Sequence, residues 1–215
     1  MFSRRHVLAA AGAAAALHVV PAHAQSAGNP VKALLGQASD HALDQLAKPG
    51  AFSADAAIRI ALPGAANLGN LLDLAHKAGL TGDLNGALNR AAEQAAAQAK
   101  PIFRAAIDRA SFSDAVAIAR GGDTGATDYL KQSTGSAVQA QLLPLVRTAL
   151  QQSGVLAQAS QLSALGFDDA RLSDYVAGKT SEGIFTYVGR EEAKLRKDPI
   201  GAGRSLLKGL QGLKF

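Results

Sequence analysis

The sequence predicts an all-α fold, a single compact multi-helix domain with one short extended connector near Ile58–Leu62. Three observations predict it. Apolar residues recur at three- and four-residue intervals through almost every periodic stretch, which is the spacing of one helix face. β-like alternation occurs once, over Ile58-Arg59-Ile60-Ala61-Leu62, and Pro63-Gly64 stops it after five residues. Aromatic residues are only 5% of the 215 and Trp is absent, so the core must be built from Ala, Leu, Val and Ile.

The first 24 residues read as a removable signal. Met1 to Leu8 is a basic n-region carrying Arg4 and Arg5. Val7 to Val20 is an apolar run of 14 residues, and Pro21-Ala22-His23-Ala24 offers an A-x-A site, which predicts cleavage between Ala24 and Gln25. A spanning helix needs about 20 apolar residues, so this run is too short for an anchor. The paired arginines after Ser3, followed by Val7-Leu8, resemble a twin-arginine signal; an ordinary Sec signal is the alternative. The expected product is a soluble periplasmic chain, 25–215, folded as one domain.

The mature chain then reads as a succession of helices. Val31 to Lys48 places Leu34, Leu35, Ala38, Ala42, Leu43 and Leu46 on one face and ends at Pro49-Gly50. Ala65 to Ala78 follows the connector. Asp83 caps a long Ala-rich run from Leu84 to Lys100, and Pro101 removes an N–H there, kinking or restarting the helix toward Arg109. Ser113 caps a short helix closed by Gly121-Gly122. Asp123 or Thr124 caps the next, through Leu130, and Ser136 to Gln152 is read as a separate helix with a kink at Pro144. Val155 to Leu165 is a further helix. Ser173 is read as the cap of the last strong one, which runs to Asp198-Pro199. A basic amphipathic segment fills 199–215, with Leu206, Leu207 and Leu210 facing one way.

Charge is unevenly placed. Of the net +5, two positive charges belong to the signal, and the stretch from Arg190 to Phe215 holds seven basic against three acidic residues. The body from Gln25 to Gly189 has 13 basic and 14 acidic residues. A nucleic-acid binder would present a broad basic face, so no nucleic acid is expected. Cys is absent, which excludes disulfides, thiolate metal sites, thiol nucleophiles and lipid attachment through Cys.

Few residues suggest chemistry. Only His41 and His76 survive removal of the signal, on separate helices and without metal-ligand spacing, so no metal and no cofactor are expected. Gly121-Gly122-Asp123-Thr124-Gly125 lacks the following Lys and the preceding strand of a phosphate loop, and Asp123 would repel phosphate, so it reads as a helix stop followed by a start. Phe185, Val188, Glu192 and Leu195 follow a 3-4-3 spacing that would set Glu192 on the apolar stripe. Glu192 and Arg196 are also an i,i+4 pair, and that solvated arrangement is the preferred reading. Asn89, Arg90 and Glu93 form a polar cluster on the Ala-rich helix, as an interhelical network or an exposed face.

Five ordered motifs carry a family resemblance. They are Ile58-Arg59-Ile60-Ala61-Leu62-Pro63; Leu88-Asn89-Arg90-Ala91-Ala92-Glu93; Ala99-Lys100-Pro101-Ile102-Phe103; Gly121-Gly122-Asp123 with Ala126-Thr127-Asp128-Tyr129; and Tyr175-Val176 through Gly183-Ile184-Phe185 to Glu191-Glu192. In this order they resemble the bacterial family catalogued as domain of unknown function 4197, over roughly Val31 to Leu210. The resemblance implies an exported, mostly helical, single-domain envelope protein and brings no activity, cofactor or catalytic residue with it. The chain departs from the usual pattern at Ala61, Ala97-Gln98 and Ser181-Glu182.

The expected function is a non-enzymatic periplasmic binding or interaction module of the cell envelope. Its partner would be an envelope protein or an anionic membrane surface met by Arg204, Lys208 and Lys214. One alternative is an enzyme with an unrecognised polar site around Asp123, Thr127, Glu191 and Glu192. The other is a helical carrier holding an apolar ligand.

Overall fold

Helices account for most of the chain that the computed structural model describes, namely residues 30–62, 84–112, 118, 121–158 and 168–198. The expected signal, the helix expected over Ala65–Ala78, the cap expected at Ser113, His76 and the basic segment 199–215 lie outside the described residues. Among the described residues six helices and two 3-10 turns form, and no strand. The helices are α1 (Pro30–Leu46), α2 (Ala51–Ala54), α3 (Leu84–Gln98), α4 (Lys100–Arg109), α5 (Gly125–Gln152) and α6 (Asp169–Lys197).

They pack around α6, which meets α5 and α1 most extensively and also touches α3. The reason is in its sequence. Leu172, Val176, Ala177, Ile184, Phe185 and Val188 are buried, and so are Thr180, Ser181, Gly183 and Gly189 between them, so apolar and small residues cover most of its circumference. A helix with buried positions on most sides occupies the middle of a bundle. The core is accordingly aliphatic, with Leu35, Leu43, Leu46, Leu88, Leu130, Leu142 and Leu150 fully buried and Phe103 set against Phe185 at 5.2 Å between ring centres. On α3 the buried residues are chiefly alanines (Ala87, Ala91, Ala92, Ala95, Ala96), which lets its backbone come close to its neighbours. The six helices thus form one compact all-α domain, as the spacing predicts.

Pro101 restarts rather than bends a helix: α3 stops at Gln98, Ala99 bridges, and α4 begins at Lys100 with the proline in its first turn, where its missing N–H costs nothing. Pro144 lies inside α5 on its exposed side, so the carbonyl deprived of a partner faces solvent.

Three sequence expectations change. The two helices expected between Thr124 and Gln152 are one continuous helix, α5. Ser133 and Thr134, which lie between the two expected helices, turn their hydroxyls back onto the carbonyls of Tyr129 and Leu130 and remain helical. The start of α6 is capped by Asp168, whose side chain accepts the Arg171 N–H at 2.8 Å. Ser173 lies within the helix and bonds back to the Asp169 carbonyl. The described part of the helix expected from Val155 is a single 3-10 turn, Leu156–Gln158.

The extended connector is present at 59–62, after a turn at 56–58 in which the Ile58 and Arg59 N–H groups donate to the Asp55 carbonyl at 3.1 and 2.9 Å. Its alternation is real: Ile58, Ile60 and Leu62 face the core while Arg59 faces out. With no partner strand among the described residues, its backbone is held by side chains. Tyr175 of α6 donates its hydroxyl to the Ala61 carbonyl at 2.6 Å. Asp55, at the start of the preceding turn, accepts through its carboxylate from the Ala57 N–H, from Tyr187 and from Arg190.

Candidate functional site

Polar groups inside an apolar bundle are stable only when each finds a partner. Glu192 is fully buried on α6, in line with the 3-4-3 spacing and contrary to the preferred solvated reading; its i,i+4 partner Arg196 is nonetheless bonded to it. The carboxylate accepts the Ala126 N–H at 3.0 Å, the Thr127 N–H at 2.7 Å and the Thr127 hydroxyl at 2.6 Å. Arg196 adds contacts at 2.8 and 2.7 Å. Ala126 and Thr127 lie in the first turn of α5, whose backbone N–H groups have no partner inside the helix. Thr124, at the capping position, makes no side-chain cap and bonds Asp128 instead. Glu192 is therefore the cap of α5, delivered from another helix, with the favourable sign for a helix N-terminus.

Glu93 does the same for α2. It is buried on α3 and accepts the Phe52 N–H at 3.2 Å, in a helix whose capping residue, Gly50, has no side chain to offer. Four residues earlier, Asn89 accepts the Ile60 N–H at 2.9 Å and donates to the Ile60 carbonyl at 2.7 Å and to the Asn85 carbonyl at 2.6 Å. Arg90, one residue on and so about a quarter-turn round the helix, is exposed. Glu191, adjacent to Glu192, turns toward α1. It accepts from Gln45 at 2.9 Å and from Lys194 at 2.6 Å, with His41 Nδ1 at 3.8 Å. Burial pushes its carboxyl up, but Lys194, Gln45 and His41 together outweigh that and hold it below its ordinary value.

Asp123 is exposed and pairs with Lys197 at 3.1 Å. The predicted residues therefore fall into separate groups. Thr127 and Glu192 meet inside the bundle where α5 begins, Asp123 pairs with Lys197 on the surface, Glu191 faces α1, and Asn89 and Glu93 fasten the connector and α2. Among the described buried side-chain polar atoms, only Oδ1 of Asp40 has no hydrogen-bond partner. No group of three His, Asp or Glu among the described residues could hold a metal ion, and none of the described helices is long and apolar enough to cross a membrane.

Among the described residues, surface cavities lie elsewhere. One, of about 570 Å³, runs between α1 and α4 past Leu34, Asp40, His41 and Lys100. Another, of about 240 Å³, adjoins Asp128 and Tyr129. The third, of about 300 Å³, opens between the connector, α5 and α6, and brings together Arg59, Lys131, Tyr175, Lys179, Glu182 and Thr186. None of these three is lined by Asn89, Arg90, Glu93, Asp123, Thr127, Glu191 or Glu192. Sequence reasoning met Tyr175 only within a family motif and did not single out Lys131 or Lys179. The outward position of Arg59 on an alternating segment is the one local signal that points to this place.

A family model described as a protein of unknown function (DUF4197) matches residues 22–212. No curated protein and no solved structure matches the chain.

Proposed function

This chain belongs to the family of proteins of unknown function DUF4197, and from that premise we propose that it is a non-enzymatic binding or interaction module of the cell envelope, exported to the periplasm. One observation carries the reading: the carboxylate best placed to do chemistry, Glu192, is fully buried and taken up by two backbone N–H groups, a hydroxyl and a guanidinium of its own fold. A general acid or base needs a face toward substrate. Glu93 and Asn89 hold backbone in the same way. The signal-like start, with Arg4-Arg5 and the Ala24-Gln25 junction, supports export.

Thermal unfolding of Glu192→Gln separates this reading from the enzyme alternative. A capping carboxylate replaced by an amide puts an N–H against bonded donors, and a loss of about 3 kcal/mol is expected. Unchanged or increased stability is the behaviour of a residue kept for chemistry at the expense of the fold, and would restore the enzyme reading. Cell fractionation tests the location: the expected result is a periplasmic chain whose first residue is Gln25, and an uncleaved cytoplasmic chain would refute it.

A further inference from the structure

The cavity under the connector gathers cations from three separate elements: Arg59 from the connector, Lys131 from α5 and Lys179 from α6. Its one carboxylate is Glu182, which pairs with Lys179 at 2.8 Å. Two positive charges are thus left uncompensated at one spot, in a body that is otherwise close to neutral from Gln25 to Gly189. No carboxylate among the described residues meets Arg59 or Lys131.

The cations are also positioned. Arg59 Nε donates to the Ser53 carbonyl at 2.8 Å, which fixes the guanidinium plane and leaves its two terminal nitrogens for a ligand. Tyr175 ties Ala61 to α6 at the same wall. Gly183 sits against Phe52 and Ile58 so closely that a Cβ there would come within 2.8 Å of the Phe52 ring, and this absence of a side chain seats the connector, and Arg59 with it, close to α6. A planar guanidinium fork beside two ammonium groups is the arrangement that recognises phosphate oxygens.

We infer that this cavity binds a phosphoryl dianion, as free phosphate or as the phosphate monoester of a small molecule or lipid headgroup. A dianion matches the two uncompensated charges, whereas a single carboxylate would leave one of them unmet. A volume of about 300 Å³ accommodates a small ligand. The inference deepens the binding-module reading. It fails separately from it, because export and the stability of Glu192 variants do not depend on phosphate.

Calorimetric titration of the full chain with inorganic phosphate, against sodium chloride of equal ionic strength, tests it. Phosphate is expected to give a saturable one-site isotherm and chloride none. Lys131→Met and Arg59→Gln should each weaken binding about tenfold or more. Lys48→Met, which removes an exposed cation elsewhere, should leave it unchanged. Lys131 is exposed and unpaired among the described residues, so its variant is expected to melt with the wild-type chain. No phosphate binding at about 10 mM, or equal weakening by Lys48→Met, would overturn the inference. A second arm identifies the source. Lys131-dependent binding to vesicles containing phosphatidic acid, and not to phosphatidylglycerol vesicles, assigns a lipid headgroup. Phosphate binding without vesicle binding assigns a soluble ligand.

Discussion

The Asn89 carboxamide pairs with both polar backbone groups of Ile60, accepting its N–H at 2.9 Å and donating to its carbonyl at 2.7 Å. One side chain thus does for the connector what a neighbouring strand would do. Asn89→Asp keeps the shape and the acceptor but removes the donor, setting a carboxylate against the Ile60 and Asn85 carbonyls. A loss of about 2–3 kcal/mol is expected, read from the urea midpoint with an unchanged slope.

The Thr127 hydroxyl and Glu192 act as one unit, so their losses should not add. Thr127→Val removes the 2.6 Å bond and is expected to cost about 1–2 kcal/mol alone. In a Glu192→Gln background most of that cost should vanish, giving a coupling on the order of 1 kcal/mol in a double-mutant cycle. Simple additivity would mean that the hydroxyl contributes through packing instead.

Two glycines in helices predict opposite outcomes. Gly183→Ala would push a methyl to 2.8 Å from the Phe52 ring and 3.4 Å from Ile58, and should destabilise by about 1–3 kcal/mol. At Gly36, within α1, a methyl would meet nothing within 4 Å, and Gly36→Ala should stabilise by about 0.5–1 kcal/mol. Melting temperatures moving in the same direction would contradict the packing described here.

Asp55 is held down to about 2 by the Arg190 guanidinium first, then by the Ala57 N–H and the Tyr187 hydroxyl. A carboxyl whose folded value lies below its unfolded one stabilises the fold above the unfolded value, ordinarily 3.8, and that contribution falls away as the pH drops toward 2. Wild-type protein should therefore be more stable than Asp55→Asn at pH 6, with the gap closing between about pH 4 and pH 2. A gap that does not vary with pH would assign the effect to shape rather than charge.

Much of this fold is legible in the sequence because its cause is local. Three- and four-residue spacing marks α1, α3 and α6, Pro101 marks the joint between α3 and α4, and the alternation at Ile58–Leu62 marks the connector. The gap expected between Leu130 and Ser136 closes because the hydroxyls of Ser133 and Thr134, which could leave a helix, bond back along it instead. The 3-4-3 spacing around Glu192 places its carboxylate inside, yet its partners include backbone N–H groups at Ala126 and Thr127, and backbone leaves no mark in a sequence. The cavity beneath the connector was illegible for another reason: Lys131 and Lys179 are unremarkable exposed lysines until the helices pack.

Neither α2 nor α5 takes a side-chain cap from its own neighbouring residues; the capping carboxylates arrive across 41 residues in one case and 65 to 66 in the other. An excised peptide covering either helix would therefore fray at its start. In the whole chain those two helix starts mature only after distant segments have closed on them, and the loop-closure entropy is met before the hydrogen bonds form. The expected consequence is cooperativity: neutralising Glu192 should accelerate unfolding far more than it slows folding, because the contact belongs to the last stage of assembly.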